Sequence, residues 1–293
     1  MASPRNGSPT RALVLGGGGA VGVGWQSGLL TGLREAGVEL AGADSIVGTS
    51  AGALVGALLS SGREVTDALV SLAALGQGID PDGLAAGDEA FLRTMRQASV
   101  HTDARQALRE IGRAAQEAST PTEDLYLGLL GTLDGTAWPA RFRCTAIDAD
   151  TGELVVWDEG SGVSLLHAVA ASCAVPVLFP TVTIEGHRYM DGGILSHLNA
   201  TAAPPTDVLV VLSCHPLGSE GTGGGGSLAA SLTPDAELAP LRQIRRVVAV
   251  EPDFTGIEAP ANMMDPNLAI EAFHIGRQQA ATEAVAIQAA SEF

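Results

Sequence analysis

The stretch Ser45-Ile46-Val47-Gly48-Thr49-Ser50-Ala51-Gly52-Ala53-Leu54-Val55-Gly56-Ala57-Leu58-Leu59 reads as an apolar strand, a sharp turn and an apolar helix that begins just after Ser50. A chain can reverse from strand into helix so abruptly only if the positions two before and two after the serine are small, since larger side chains would collide inside the turn. Gly48 and Gly52 meet that need. Such a turn lifts the Ser50 hydroxyl out of the sheet. It also aims the N-terminus of the next helix, with its free N–H groups and partial positive charge, at the same spot. A serine held this way suits acyl transfer, although a Ser50 that merely caps a helix would produce the same string.

Composition narrows the options. The chain has 293 residues, 46% of them hydrophobic, which is enough for one large α/β domain or two smaller ones, and no linker divides it in half. A net charge of −17, with only 16 basic residues, argues against a nucleic-acid surface and against adsorption to strongly anionic bilayers. Cys144, Cys173 and Cys214 are odd in number and lack the paired spacing of a zinc or redox site, so free thiols in a reduced, cytoplasmic protein are expected, with no metal. Two uncharged runs, about 12–33 and 45–62, are long enough to span a bilayer. The first is broken by many glycines and the second contains the Ser50 turn, so neither reads as a membrane helix. Residues 1–10 are polar and contain proline, and they read as a disordered tail without a signal-peptide pattern.

Working outward from Ser50, a strand is expected at Arg11–Leu15, then a glycine-rich loop and a helix over about 23–36 that ends at Gly37. Early alternation of strand and helix favours βαβ units and a parallel sheet. The middle, about 82–132, reads as helical. In it Ala104, Ala107, Leu108, Ile111, Ala114 and Ala118 form an apolar stripe opposite Arg105, Arg109 and Arg113, with Arg113 placed to pair with Glu117 on a solvated face. Strands follow at 141–147 and 154–157 around a turn at 148–152, then a helix over 164–173 ending before Pro176. Residues 188–190 lead into Asp191-Gly192-Gly193, and 207–213 is a buried strand. The run 221–226 is a low-complexity surface loop, 247–250 a late strand, and about 267–290 a final amphipathic helix. The expected organisation is a single domain over 11–293. Its motif-bearing core covers about 11–213, and a C-terminal strand and helix extension covers about 214–293.

The glycine loop admits two readings. Gly17, Gly19 and Gly22 satisfy Gly-x-Gly-x-x-Gly between a strand and a helix, the setting of a dinucleotide site, with Glu39 or Asp44 about twenty residues on as a ribose ligand. That reading leaves Ser50 and Asp191 as coincidences. In the hydrolase reading, the N–H groups of Gly17, Gly18 and Gly19 form an oxyanion hole, and losing one such donor costs about 2.7–4 kcal/mol of transition-state stabilisation.

Ser50 then needs a base. The α/β-hydrolase arrangement would supply a histidine, but its nucleophile turn follows several strands, whereas a single convincing strand precedes Ser50 here. None of His101, His167, His187, His197, His215 and His274 carries a local signature. Asp191 follows a strand and is flanked by glycines that permit close approach, so its carboxylate can take the serine proton directly, although Asp-Gly is also ordinary turn chemistry.

The loop Gly17-Gly18-Gly19-Ala20-Val21-Gly22, the turn Gly48-Thr49-Ser50-Ala51-Gly52, the segment Ala171-Ser172-Cys173-Ala174-Val175-Pro176-Val177-Leu178-Phe179-Pro180 and Asp191-Gly192-Gly193 together resemble the patatin-like phospholipases, serine acyl hydrolases with a Ser-Asp dyad. The resemblance implies a three-layer α/β/α fold with a mainly parallel central sheet. It makes Ser50 the nucleophile, Asp191 the base and Gly17, Gly18 and Gly19 the oxyanion donors, supported by Gly22, Gly48, Gly52, Gly192 and Gly193. It implies a lipid or other ester as substrate, no cofactor, and at most peripheral contact with a membrane. A non-catalytic lipid- or partner-binding protein on the same fold is the alternative. The family usually carries Arg or Lys where this chain has Val21. Either a positive charge near the loop is lost, favouring neutral esters, or Val21 packs beneath the loop.

Overall fold

The apolar run Arg11–Leu15 forms β1, and its two-residue alternation sets the layers of the molecule. A computed structural model describes residues 9–78, 81–218, 233–254 and 263–291. β1 pairs in parallel with β2 (Ser45–Thr49) on one side and β7 (Val208–Leu212) on the other. β2 pairs in parallel with β3 (Phe142–Asp148), and β7 with β8 (Arg246–Val250). β4 (Leu154–Trp157) and β6 (His187–Asp191) both run antiparallel to β3, and β5 (Val182–Ile184) is antiparallel to β6. The sheet is therefore mixed, with a parallel centre and an antiparallel end. β4 runs antiparallel because the turn that joins it to β3 is too short for a crossover. In that turn Asp148 Oδ1 accepts the N–H groups of Asp150 and Thr151 at 3.0 and 2.8 Å.

Leu13 and Leu15 of β1, with Val208, Val210 and Leu212 of β7, point into the main core. There they meet α1 (Gly19–Glu35), α2 (Ala51–Ser60), α7 (Leu165–Ser172) and α9 (Ala269–Ser291). The alternate residues Ala12, Val14, Leu209 and Val211 face the other way, onto Leu238 and Leu241 of α8 (Pro234–Arg242). On that second side Ile147 and Met190 also pack on α4 (Pro81–Ala98) and α5 (Ala104–Glu117). Helices cover both faces, giving the expected three layers.

Several expectations shift in detail. Met1–Ser8 of the expected tail and the loop 221–226 lie outside the described residues. Thr10, expected in that tail, is anchored, since its N–H and Oγ1 both donate to Asp207 Oδ2 at 2.8 Å. The buried stripe of α5 is Ala107, Leu108, Ile111, Gly112 and Ala115, while Ala104, Ala114 and Ala118 are half-buried. The helix is rotated because Gly112 rests on the Ala149 backbone, where a methyl group would lie 1.9 Å from the carbonyl oxygen. The pair Arg113–Glu117 forms at 3.1 Å on the exposed side. α6 (Glu123–Leu129) falls with α4 and α5 in the expected helical middle, whereas β5, α8 and α3 (Asp67–Gly78) had no expectation in the sequence.

The C-terminal stretch shares the sheet through β8 and the main core through α9. α9 lies directly on α1. Methyl groups at Gly24 and Gly28 would sit 2.1 and 1.9 Å from the carbonyl oxygens of Ala269 and Phe273, and one at Gly276 would sit 2.2 Å from that of Trp25. Trp25 Nε1–H donates to Gln279 Oε1 at 3.0 Å across the same contact. Gly28→Ala should therefore destabilise the protein by about 1–3 kcal/mol through overpacking, outweighing the gain of about 1 kcal/mol in helix propensity. Thermal unfolding tests this, and a raised melting temperature would show that the helices are not in backbone contact.

Candidate active site

The site forms where two strands run out on one edge of β3. Thr145 pairs with Thr49 of β2 and Val156 of β4, whereas the next residue, Ala146, pairs with Asp191 of β6 and Val155 of β4. A strand has two edges and β4 runs continuously along one, so β2 and β6 share the other. β2 is parallel to β3 and β6 antiparallel. The two strands thus approach head-on, and their last residues, Thr49 and Asp191, stop at adjacent positions.

Ser50 follows Thr49 with φ 53° and ψ −120°, in the left-handed half of backbone space that side chains avoid. The strain is held by close contacts that only glycine permits. A methyl group at Gly52 would lie 2.0 Å from the Leu15 carbonyl oxygen, and one at Gly48 would lie 2.4 Å from that of Gly52. Ser50 Oγ donates to Asp191 Oδ2 at 2.6 Å. Asp191 Oδ1 accepts the Gly193 N–H at 2.7 Å, and the Asp191 N–H donates to the Ala174 carbonyl at 2.9 Å. The Ser50 N–H donates to Ser172 Oγ at 3.0 Å, and the Cys173 thiol donates to the Ser50 carbonyl at 3.1 Å. Ser172 and Cys173 come from the end of α7. Their contacts with Ser50 are long-range and carry no local sequence signal.

Ser50 and Asp191 are 7% and 3% exposed. Burial pushes the Asp191 carboxyl up to about 7, against the opposing pull of its bonds from Ser50 and Gly193. A carboxylate so placed can accept a proton from the serine near neutral pH.

The glycine loop lies against the serine. A methyl group at Gly17 would be 3.3 Å from Ser50 Cβ. Of the three expected donors, Gly17 is the exception, because its N–H already donates to the His197 carbonyl at 2.7 Å. Among the described residues no acceptor occupies the N–H groups of Gly18 and Gly19. These stand at the start of α1, which begins at Gly19, earlier than expected, with partial positive charge. Glycine is needed at 18 and 22 because Cys214 fills the adjoining space, 2.4 Å (Cβ) and 3.0 Å (Sγ) from the respective methyl positions. At Gly192 a methyl group would lie 2.6 Å from Thr145 Oγ1, and at Gly193 one would lie 3.0 Å from Asp191 Oδ1. The two acidic residues of the dinucleotide reading each hold a backbone group. Asp44 Oδ2 accepts the Arg11 N–H at 2.7 Å, and Glu39 Oε1 accepts the Ala41 N–H at 2.9 Å.

Among the described residues no histidine bonds to Ser50 or Asp191. His101 bonds Glu110, His167 bonds Ser164, His187 lies 3.6 Å from Asp148 and His274 packs on Phe273. The rings of His197 and His215 stack with centroids 3.9 Å apart, and burial pulls them down to about 3 and about 4, so both are neutral. The three cysteines are free, and burial pushes all three thiols up. No cluster of metal-ligating side chains occurs among the described residues, and no helix among them is long and apolar enough to cross a membrane. Val21 packs beneath the loop. It is 1% exposed within the main core, and its N–H donates to the Met263 carbonyl at 3.1 Å.

A strand-turn-helix serine bonded to a buried aspartate, beside unengaged loop amides on a three-layer sheet, is an arrangement chemically able to carry out acyl transfer. A family model described as patatin-like phospholipase matches residues 13–204, which take in the glycine loop, Ser50 and Asp191. The chain belongs to the patatin-like phospholipase family. Uncharacterized NTE family proteins of Mycobacterium bovis and Mycobacterium tuberculosis are each 30% identical over 188 residues, which is 64% of this chain and 27% of theirs. The chain thus spans about a quarter of the length of these curated relatives. Among solved structures, VipD from Legionella pneumophila has a TM-score of 0.45 at 15% identity, over 97% of this chain and 68% of its own. A chain of the full-length SpcU–ExoU complex from the Pseudomonas aeruginosa type III secretion system has a TM-score of 0.45 at 16% identity, over 98% of this chain and 53% of its own.

The raised Asp191 ionisation has a stability consequence of definite sign. Between the ordinary value of 3.8 and about 7 the folded state keeps a proton that the unfolded state has lost. The stability linked to this group is therefore full below about 3.8 and drains away as pH rises through about 7. Asp191→Asn cannot ionise, so its melting temperature should rise relative to the parent between acidic and mildly alkaline pH. A difference that stays constant across that range would contradict a buried, upshifted carboxyl.

Proposed function

We propose that the chain is a serine carboxylic ester hydrolase acting on lipids, with Ser50 as nucleophile and Asp191 as its base. The observation that carries this reading is the 2.6 Å bond from Ser50 Oγ to Asp191 Oδ2 at the strained turn. Asp191 takes the hydroxyl proton as Oγ attacks the ester carbonyl, and the carbonyl oxygen becomes an oxyanion facing the Gly18 and Gly19 amides. Collapse of this intermediate expels the alcohol, which leaves with the proton from Asp191, and Ser50 is left acylated. Asp191 then deprotonates a water that attacks the acyl-enzyme, freeing the acid and restoring the serine. Gly17 supports the loop through its bond to His197.

The lipid assignment rests on family membership. Val21 is a buried packing residue that brings no charge to the loop, so nothing in that position selects for anionic headgroups, and we take neutral esters as the substrates. The free cysteines fit a reduced, cytoplasmic protein that meets lipid peripherally.

Ser50→Ala and Asp191→Asn should each lower hydrolysis of a short-chain p-nitrophenyl ester by on the order of 1,000-fold or more, with thermal unfolding still cooperative. Full activity in either variant would overturn the dyad. In the parent, kcat/KM should rise with pH through a midpoint near 7 as Asp191 ionises.

A further inference from the structure

The base must be aimed as well as present, and the aiming runs through one peptide group. Asp191 Oδ2 receives the Ser50 hydroxyl while Oδ1 is held by the Gly193 N–H. That N–H belongs to the planar peptide whose carbonyl is that of Gly192. Asn199 Nδ2 donates to the Gly192 carbonyl at 3.1 Å and to the Ser196 carbonyl at 2.8 Å. The same nitrogen lies 3.2 and 3.3 Å from Thr49 Oγ1 and Thr145 Oγ1, which are bonded to each other at 2.8 Å. A single amide, 2% exposed, thus touches the residue before the nucleophile, the residue after the base, and the β3 residue beside which their strands end.

Asn199 is itself fixed. Its backbone is left-handed, φ 48° and ψ 40°, a conformation asparagine tolerates better than other residues with side chains. Ser196 Oγ accepts the N–H groups of Leu198 and Asn199 at 3.2 and 3.1 Å and donates to Glu237 Oε2, while the Ala200 N–H donates to Glu237 Oε1. Glu237 is buried on α8, beyond the segment 13–204 that carries the family match.

We propose that Asn199 is a positioning residue that orients the Asp191 carboxylate toward Ser50 through the Gly192–Gly193 peptide, and that Glu237 anchors the Asn199 loop. Only three bonds need to cooperate: Asn199 to the Gly192 carbonyl, Gly193 N–H to Oδ1, and Ser50 to Oδ2. Loading the Gly192 carbonyl also polarises the peptide and makes the Gly193 N–H a better donor to the charged carboxylate. Losing Asn199 should therefore both misdirect Asp191 and make its ionisation harder. Of the other titratable groups nearby, burial keeps the Tyr126 phenol and Cys173 thiol protonated and His197 and His215 neutral, and it raises the Glu237 carboxyl against the opposing pull of the bonds from Ser196 and Ala200.

This inference rests on the Ser50–Asp191 reading, and the test separates the two. Asn199→Gly keeps the left-handed backbone without strain and removes only the amide. It should lower kcat for a p-nitrophenyl ester by on the order of 100-fold, leave KM nearly unchanged, and move the midpoint of the pH profile upward. Glu237→Gln should change kcat and midpoint in the same directions by less, and it serves if the first variant does not fold. A parent whose activity survives Ser50→Ala overturns the dyad reading. A parent that depends on Ser50, with kcat and midpoint unchanged in the folded variants, overturns the positioning role. Carbon-13 NMR titration of the Asp191 carboxyl, assigned by its absence in Asp191→Asn, reads the same effect without turnover. An upward shift in Asn199→Gly is expected, and an unchanged titration refutes the proposal.

Discussion

β2 and β6 compete for a single edge of β3, and both stop where they would collide. This constraint places the last residue of one strand beside the turn that follows the other. Ser50 and Asp191, which lie 141 positions apart in sequence, thereby meet at 2.6 Å. The meeting point lies inside the sheet and away from water, so the carboxylate is desolvated, and desolvation lifts its ionisation to about 7. Topology thus sets the geometry, and geometry sets the proton affinity that a direct Ser-Asp exchange requires.

The strain at Ser50 is held in place from three directions. Gly48 and Gly52 let the strand and helix backbones touch, Ser172 takes the Ser50 N–H, and the Cys173 thiol caps its carbonyl. An unusual backbone conformation persists only when its surroundings over-determine it. The end of α7 supplies that support, and it also receives the Asp191 N–H through Ala174. One helix terminus therefore steadies both halves of the pair.

Much of this was legible in the sequence because it is written locally. The Gly48-Thr49-Ser50-Ala51-Gly52 turn, the glycine loop and Asp191-Gly192-Gly193 each encode their own backbone geometry in small residues at fixed offsets. Helix and strand patterns gave the parallel centre for the same reason. Long-range facts were not legible. The bond from Gly17 to the His197 carbonyl, which removes one expected donor, joins residues that no spacing relates. Asn199 stands in a loop without periodicity, and its partners come from three separate strands and turns. α8 was hidden by Pro234 and Pro240, and α9, expected as an extension, shares a backbone-to-backbone contact with the helix that starts at the loop amides. Val21 could be read as a lost charge until its burial showed it to be a packing residue.

In the proposed reaction Ser50 Oγ is the atom that becomes acylated and Asp191 is the group that activates it. Reaction of the whole chain with a fluorophosphonate probe, followed by peptide mass mapping at several pH values, tests both together. The expected adduct is on Ser50, forming at a rate that rises through one ionisation near 7 and collapsing in Asp191→Asn. An adduct on another residue, or one on Ser50 that forms equally fast without the Asp191 carboxylate, would contradict the account.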